Sequence, residues 1–121
     1  MRFLIALLWA IFTAFLHAIP GNDISFFQLD DLFQLDKLFH LAVFFIGTWL
    51  ALVYACSKFK AKFYLITFLA YTLYGLMLEI AQGFLFEGRH ADLLDWIADT
   101  LGVLLAVTLH RKIYIYKLSK S

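Results

Sequence analysis

The sequence predicts an all-α protein, an antiparallel bundle of four transmembrane helices, and three observations carry that expectation. First, 64% of the 121 residues are hydrophobic and 16% are charged. A soluble domain of this length averages nearer half apolar and has too little interior to hide the excess. Second, the apolar residues fall into four runs, each close to the ~17–25 residues that cross a hydrocarbon layer. Third, the charges are segregated: eight of the ten lysines and arginines map to one set of helix ends and all nine acids to the other half. The length implies a single domain over residues 1–121. With Cys56 the only cysteine, no intrachain disulfide can form.

The first span is expected over residues 3–19, 17 positions without a lysine, arginine or carboxylate. A cleaved secretory signal is the rival reading, because Arg2 precedes the run. The run exceeds the usual ~7–15 residues, however, and Leu16 before Ala18 makes a poor small-x-small cleavage site, so an uncleaved span is expected. Pro20, Gly21, Asn22 and Asp23 end it through lost hydrogen bonding and turn preference. Residues 24–35 repeat FQLD, at Phe27–Asp30 and Phe33–Asp36. Phe26, Leu29 and Phe33 fall on one side, which suggests a short interfacial amphipathic helix between helices 1 and 2, with an ordinary connector as the alternative. The second span is expected over 38–56, the third over 63–82 and the fourth over 93–109, followed by a basic polar tail.

The cations set the orientation. With both termini cytoplasmic, Arg2, Lys58, Lys60, Lys62, Arg111, Lys112, Lys117 and Lys120 all lie inside, and only Lys37 and Arg89 lie outside. The acids go the other way, which supports the same topology because they were not used to count the spans.

That topology brings ionisable groups from three helices to one level. Helix 2 begins with Asp36, Lys37 and His40, helix 3 ends with Glu79 and Gln82, and helix 4 begins with Asp92, Asp95 and Asp99 after Arg89. Spacings of three, four and seven place the members of each set on one helical face. Ionisable groups at membrane depth are costly, about 2.5–3.5 kcal/mol at the centre of a span, so their presence is a functional hypothesis by default. Deeper in, Gly47, Ala51, Gly75, Gly102 and Ala106 let helix backbones approach closely. A bundle pinched toward the cytoplasm and opening outward into a polar pocket is expected.

These residues resemble the pattern of the VanZ-like family: Asp36-Lys37-x-x-His40, Glu79-x-x-Gln82, and Gly88-Arg89 followed by Asp95, Asp99 and Gly102. The likeness covers roughly residues 30–108. That family consists of small bacterial membrane proteins named after a teicoplanin-resistance protein. The resemblance implies a multi-pass protein of the bacterial cytoplasmic membrane, with an envelope role touching glycopeptide or cell-wall chemistry. It supplies no reaction.

Each polar group has a plain structural alternative. Asp36 and Lys37 could anchor a helix start at the interface, where the dipole favours an acid by ~0.3–1 kcal/mol. Glu79 is either locked in an ion pair with Arg89, Lys37 or His40, or kept protonated by burial as a general acid or base. Asp95 and Asp99 need a cation or a shared proton between them, and Arg89 can bind a carboxylate of the protein or an anion of a ligand equally well. A metal site is conceivable from His40, Glu79, Asp95 and Asp99. The helical E-x-x-H or H-x-x-x-H spacings are absent, so neither metal nor cofactor is expected.

The expected function is therefore binding of an anionic wall- or lipid-linked ligand by Asp36, Lys37, His40, Glu79, Gln82, Arg89, Asp95 and Asp99. The alternatives are an enzyme using Glu79 and His40 as an acid–base pair on lipid-linked substrates, or a non-catalytic subunit of an envelope complex. Membrane lipids are the expected surroundings, with a homo-oligomer or an envelope protein as partner. Three interrupted lysines at 58, 60 and 62 suit anionic lipid rather than nucleic acid. No phosphate loop or nucleophile elbow is present.

Overall fold

The computed structural model describes residues 2–18, 29–55, 61–85 and 90–120, with side chains over 4–18, 35–53, 61–85 and 90–120. Four helices account for nearly all of them: α1 (Arg2–Ala18), α2 (Leu29–Ala55), α3 (Ala61–Leu85) and α4 (Leu93–Leu118). The described residues contain no strand. In hydrocarbon every backbone N–H and C=O must find a partner, and a helix provides all of them within one segment. The windows Leu35–Val53, Ala61–Leu85 and Leu93–Leu118 are long and apolar enough to cross a membrane, and α1 is a shorter apolar helix.

Two boundaries differ from the sequence reading. Helix α2 starts at Leu29, so the second half of the stretch expected as a separate interfacial helix is continuous with the second span. Residues 24–28, and Cys56 at the other end, lie outside the described residues. Helix α4 runs to Leu118 instead of ending at Leu109, because Arg111, Lys112 and Lys117 are good helix formers whose long stems tolerate an apolar flank. At 1.5 Å per residue it is about 39 Å long, more than the ~30 Å of a hydrocarbon core.

Consecutive helices run antiparallel, so α1 lies parallel to α3 and α2 parallel to α4. Side-chain donors on main-chain carbonyls record this order. The Tyr74 hydroxyl donates to Ala10 O at 2.5 Å, Trp9 Nε1 to Val43 O at 3.1 Å, Tyr71 to Gly47 O at 3.1 Å, and Trp96 Nε1 to Thr72 O at 3.0 Å. At the end that carries the termini, Tyr64 and His110 Nδ1 are hydrogen-bonded at 3.2 Å, and Trp49 meets the His110 ring edge-on.

The α2–α4 pair is the most extensive packing, and Gly102 explains it. A Cβ there would collide with the carbonyl oxygen of Leu41 and sit 3.0 Å from Phe45 N, so two backbones touch at this point. Gly75 instead admits the Phe44 ring and Asp99, and Gly47 admits the Trp9 indole. Around these contacts Val43, Phe44, Leu52, Val103 and Ala106 form the buried core. The large apolar residues left over face outward along all four helices, Met77 and Phe84 among them, as a lipid-facing surface requires.

Backbones approach closely at Gly102, while toward the termini α1, α2 and α3 leave a gap. An apolar cleft of about 280 Å³ lies there, bounded by Ala6, Ala10, Ala51, Ala70, Tyr71 and Tyr74. Ala51 faces other alanines across helices, so its small side chain leaves space open instead of drawing backbones together.

Candidate functional site

The polar groups gather at the opposite end of the bundle. The last turn of α1 supplies His17, α2 supplies Asp36, Lys37 and His40, and α3 supplies Glu79 and Gln82. Helix α4 supplies Asp95 and Asp99, behind the cap residue Asp92. Asp92 adopts φ −104° and ψ 114°, and its carboxylate accepts from Leu94 N at 2.8 Å, which satisfies one of the orphan donors of a helix start.

His40 is the centre of this arrangement. Its Nδ1 lies 2.9 Å from Asp99 Oδ1 and 3.9 Å from Glu79 Oε1, and its Nε2 lies 3.9 Å from Asp95 Oδ2 and 4.0 Å from Asp36 Oδ1. The imidazole thus stands between Asp95 and Asp99, the position for which a cation was expected. Lys37 covers the outside, its Nζ donating to Asp92 Oδ2 at 3.0 Å and to Asp95 Oδ1. Burial acts to raise the Asp92 pKa, but the Leu94 N–H and the Lys37 ammonium outweigh it and hold the carboxyl below its usual range.

Glu79 is 2% exposed and Asp99 is fully buried. Glu79 Oε2 accepts the Asp92 N–H at 3.1 Å, while Glu79 Oε1 and Asp99 Oδ2 accept no hydrogen bond among the described residues. Glu79 Oε1 instead faces two histidine nitrogens, His40 Nδ1 and His17 Nε2, each at 3.9 Å. The two imidazoles meet edge to face with centroids 4.8 Å apart. His17 Nδ1 lies 2.8 Å from Thr13 O, and because a carbonyl only accepts, this nitrogen carries the proton.

Most of the expected residues therefore converge, and among the described residues they pack on one another. Asp36 stays at the rim with its side chain 57% exposed. Gln82 lies at the same level, and its amide donates to the His17 carbonyl at 2.8 Å, tying α3 to the end of α1. Arg89 lies outside the described residues. Among those described, Lys37 is the sole lysine or arginine at this end, against Asp30, Asp31, Asp36, Glu79, Asp92, Asp95 and Asp99.

Sequence reasoning passed over His17 and left Asp92 out of the site. The signal for His17 was present as Thr13 and His17, one turn apart in an otherwise apolar run, both buried.

Three membrane-length helices, an outward apolar surface and a buried acid–histidine cluster at one end define a small helical membrane protein with a polar core. The VanZ/LLP1 family model matches residues 3–116, which include every residue of the cluster, and the chain belongs to that family. The match takes in α1, beyond the 30–108 over which the motifs fall. No curated protein and no solved structure matches the chain.

Proposed function

We propose that this VanZ/LLP1 protein works in the cell envelope, binding an anionic wall- or lipid-linked ligand at its polar end, and that this binding underlies tolerance of a glycopeptide such as teicoplanin. It sits in the bacterial cytoplasmic membrane with both termini inside, the polar end outside and the first turns of α2 at the outer interface. The observation that carries this reading is the gathering of His17, His40, Glu79 and Asp99 from four helices beneath the Lys37–Asp92 ion pair.

The partly exposed acids Asp36 and Asp92 favour amino, amide or hydroxyl groups of a wall peptide or sugar. The anionic part of the ligand is left to the rim, where Lys37 sits and where Arg89 is the second cation proposed for it. Arg89→Ala and Glu79→Gln are expected to abolish glycopeptide tolerance while leaving membrane insertion intact. Normal tolerance in both variants refutes the proposal.

A second reading is an enzyme acting on lipid-linked substrates. It is favoured by Glu79 Oε1, which accepts no hydrogen bond among the described residues and stands 3.9 Å from two imidazole nitrogens, an arrangement suited to passing a proton. Turnover of labelled polyprenyl intermediates that is lost in Glu79→Gln supports it, and turnover indifferent to that change removes the assignment. A non-catalytic role in a homo-oligomer or envelope complex is supported by the burial of the same groups as interhelical glue. It predicts co-purification with a larger assembly.

A further inference from the structure

We propose that His17, His40, Glu79 and Asp99 form a binding site for a divalent transition metal ion of the zinc class. One donor atom from each residue lies within 4.8 Å of all the others, and all four side chains are buried. A tetrahedral zinc ion with bonds of about 2.0–2.2 Å holds its donors roughly 3.3–3.6 Å apart. The separations between His40 Nδ1 and Asp99 Oδ1, 2.9 Å, and between Glu79 Oε1 and each histidine, 3.9 Å, bracket that spacing.

Three features point inward to an ion. Glu79 Oε1 accepts no hydrogen bond among the described residues although its side chain is more than nine-tenths buried. Such an oxygen is costly to strip of water without a cation. His17 Nδ1 donates to the Thr13 carbonyl, so in the neutral ring the lone pair is on Nε2, the nitrogen turned toward Glu79 Oε1. A lone pair facing a carboxylate oxygen repels it unless something positive sits between. With His40 Nδ1 on the ion, its Nε2–H is left facing Asp36 and Asp95. Histidine ligands are oriented in this way by a carbonyl on one ring and a carboxylate on the other. Two carboxylates and two neutral imidazoles carry a charge of −2, which a divalent ion cancels. Two nitrogens with two carboxylate oxygens suit zinc better than calcium or magnesium, which take oxygen donors.

The sequence expectation of no metal rested on the absence of a paired-ligand motif within one helix. Here each ligand comes from a different helix, so no such motif arises. The inference stands whether or not a wall-linked ligand binds at the rim.

The test uses the full chain purified in detergent from cells grown with added zinc, its metal content measured by elemental analysis, then stripped with a chelator and titrated with Co²⁺. About one zinc per chain and the visible d–d absorption of four-coordinate cobalt are expected. His17→Ala and Asp99→Asn should each weaken Co²⁺ binding by roughly tenfold or more, while His90→Ala, exposed and outside the group, binds normally. Should the first two variants misfold, His17→Cys decides, because a thiolate ligand adds a sulfur-to-cobalt charge-transfer band. Wild-type protein with neither bound zinc nor the cobalt spectrum overturns the proposal. So does cobalt binding indifferent to His17 and Asp99, or His17→Cys that gains no such band.

Discussion

Replacing Gly102 by alanine puts a methyl group where the backbone of α2 already runs. The nearest atoms, Leu41 O and Phe45 N, are both main chain, so no side-chain rotation relieves the clash. Helices α2 and α4 must separate by on the order of 1 Å, and a gap of that size forfeits a quarter to a half of each dispersion contact across it. For about 40 atom pairs at ~0.15 kcal/mol each, the loss is about 1.5–3 kcal/mol, in line with overpacking costs in protein cores. This corresponds to a roughly 10- to 150-fold fall in the folded-to-unfolded ratio. Unfolding of the detergent-solubilised chain by added dodecyl sulfate, followed by the fluorescence of Trp9, Trp49 and Trp96, measures it. Gly47→Ala is the control: its nearest neighbour, at 2.6 Å, is the Trp9 ring, a side chain able to shift. Gly102→Ala as stable as wild type, or milder than Gly47→Ala, refutes the reasoning.

Lys37→Met leaves the largely buried Asp95 without its ammonium partner. It is expected to cost about 1.5–3 kcal/mol in the same titration, with much of the loss recovered when Asp95→Asn is added. A cost under about 0.5 kcal/mol, the size of an exposed pair, contradicts that account. The Asp92 carboxyl is held below its usual range, so its contribution is complete above pH ~4 and is lost as the pH falls through the lowered value. Asp92→Asn should therefore be less stable than wild type near neutrality and converge with it in acid. A gap that widens as the pH falls would show the sign to be wrong.

Much of this architecture was legible because a bilayer leaves few options. Uninterrupted apolar runs must be helices, and polar groups such as Glu79 and Asp99 inside them must face one another. What sequence periodicity lacks is the rotation of each helix about its axis. That rotation, set by contacts such as Gly102 against Leu41, decides that Lys37 meets Asp92 and Asp95 and that the His40 ring comes between Asp95 and Asp99. His17 escaped for the same reason: a single histidine in an apolar run carries no partner signal until α3 brings Glu79 beside it. The end of α4 is not legible in the sequence, because lysine and arginine suit a polar tail and are equally at home on a helix that outruns the hydrocarbon.

The hydrogen bonds that anchor α1 have a consequence for biosynthesis. A chain made from its N-terminus exposes Trp9 to the Val43 carbonyl once α2 exists, but the donors of Tyr74 and Gln82 arrive only with α3. Glu79 enters alongside them, before translation reaches the Asp92 amide that later serves it. In that interval the two imidazoles already laid down by α1 and α2, each 3.9 Å from Glu79 Oε1 in the folded chain, are the polar groups this carboxylate can meet.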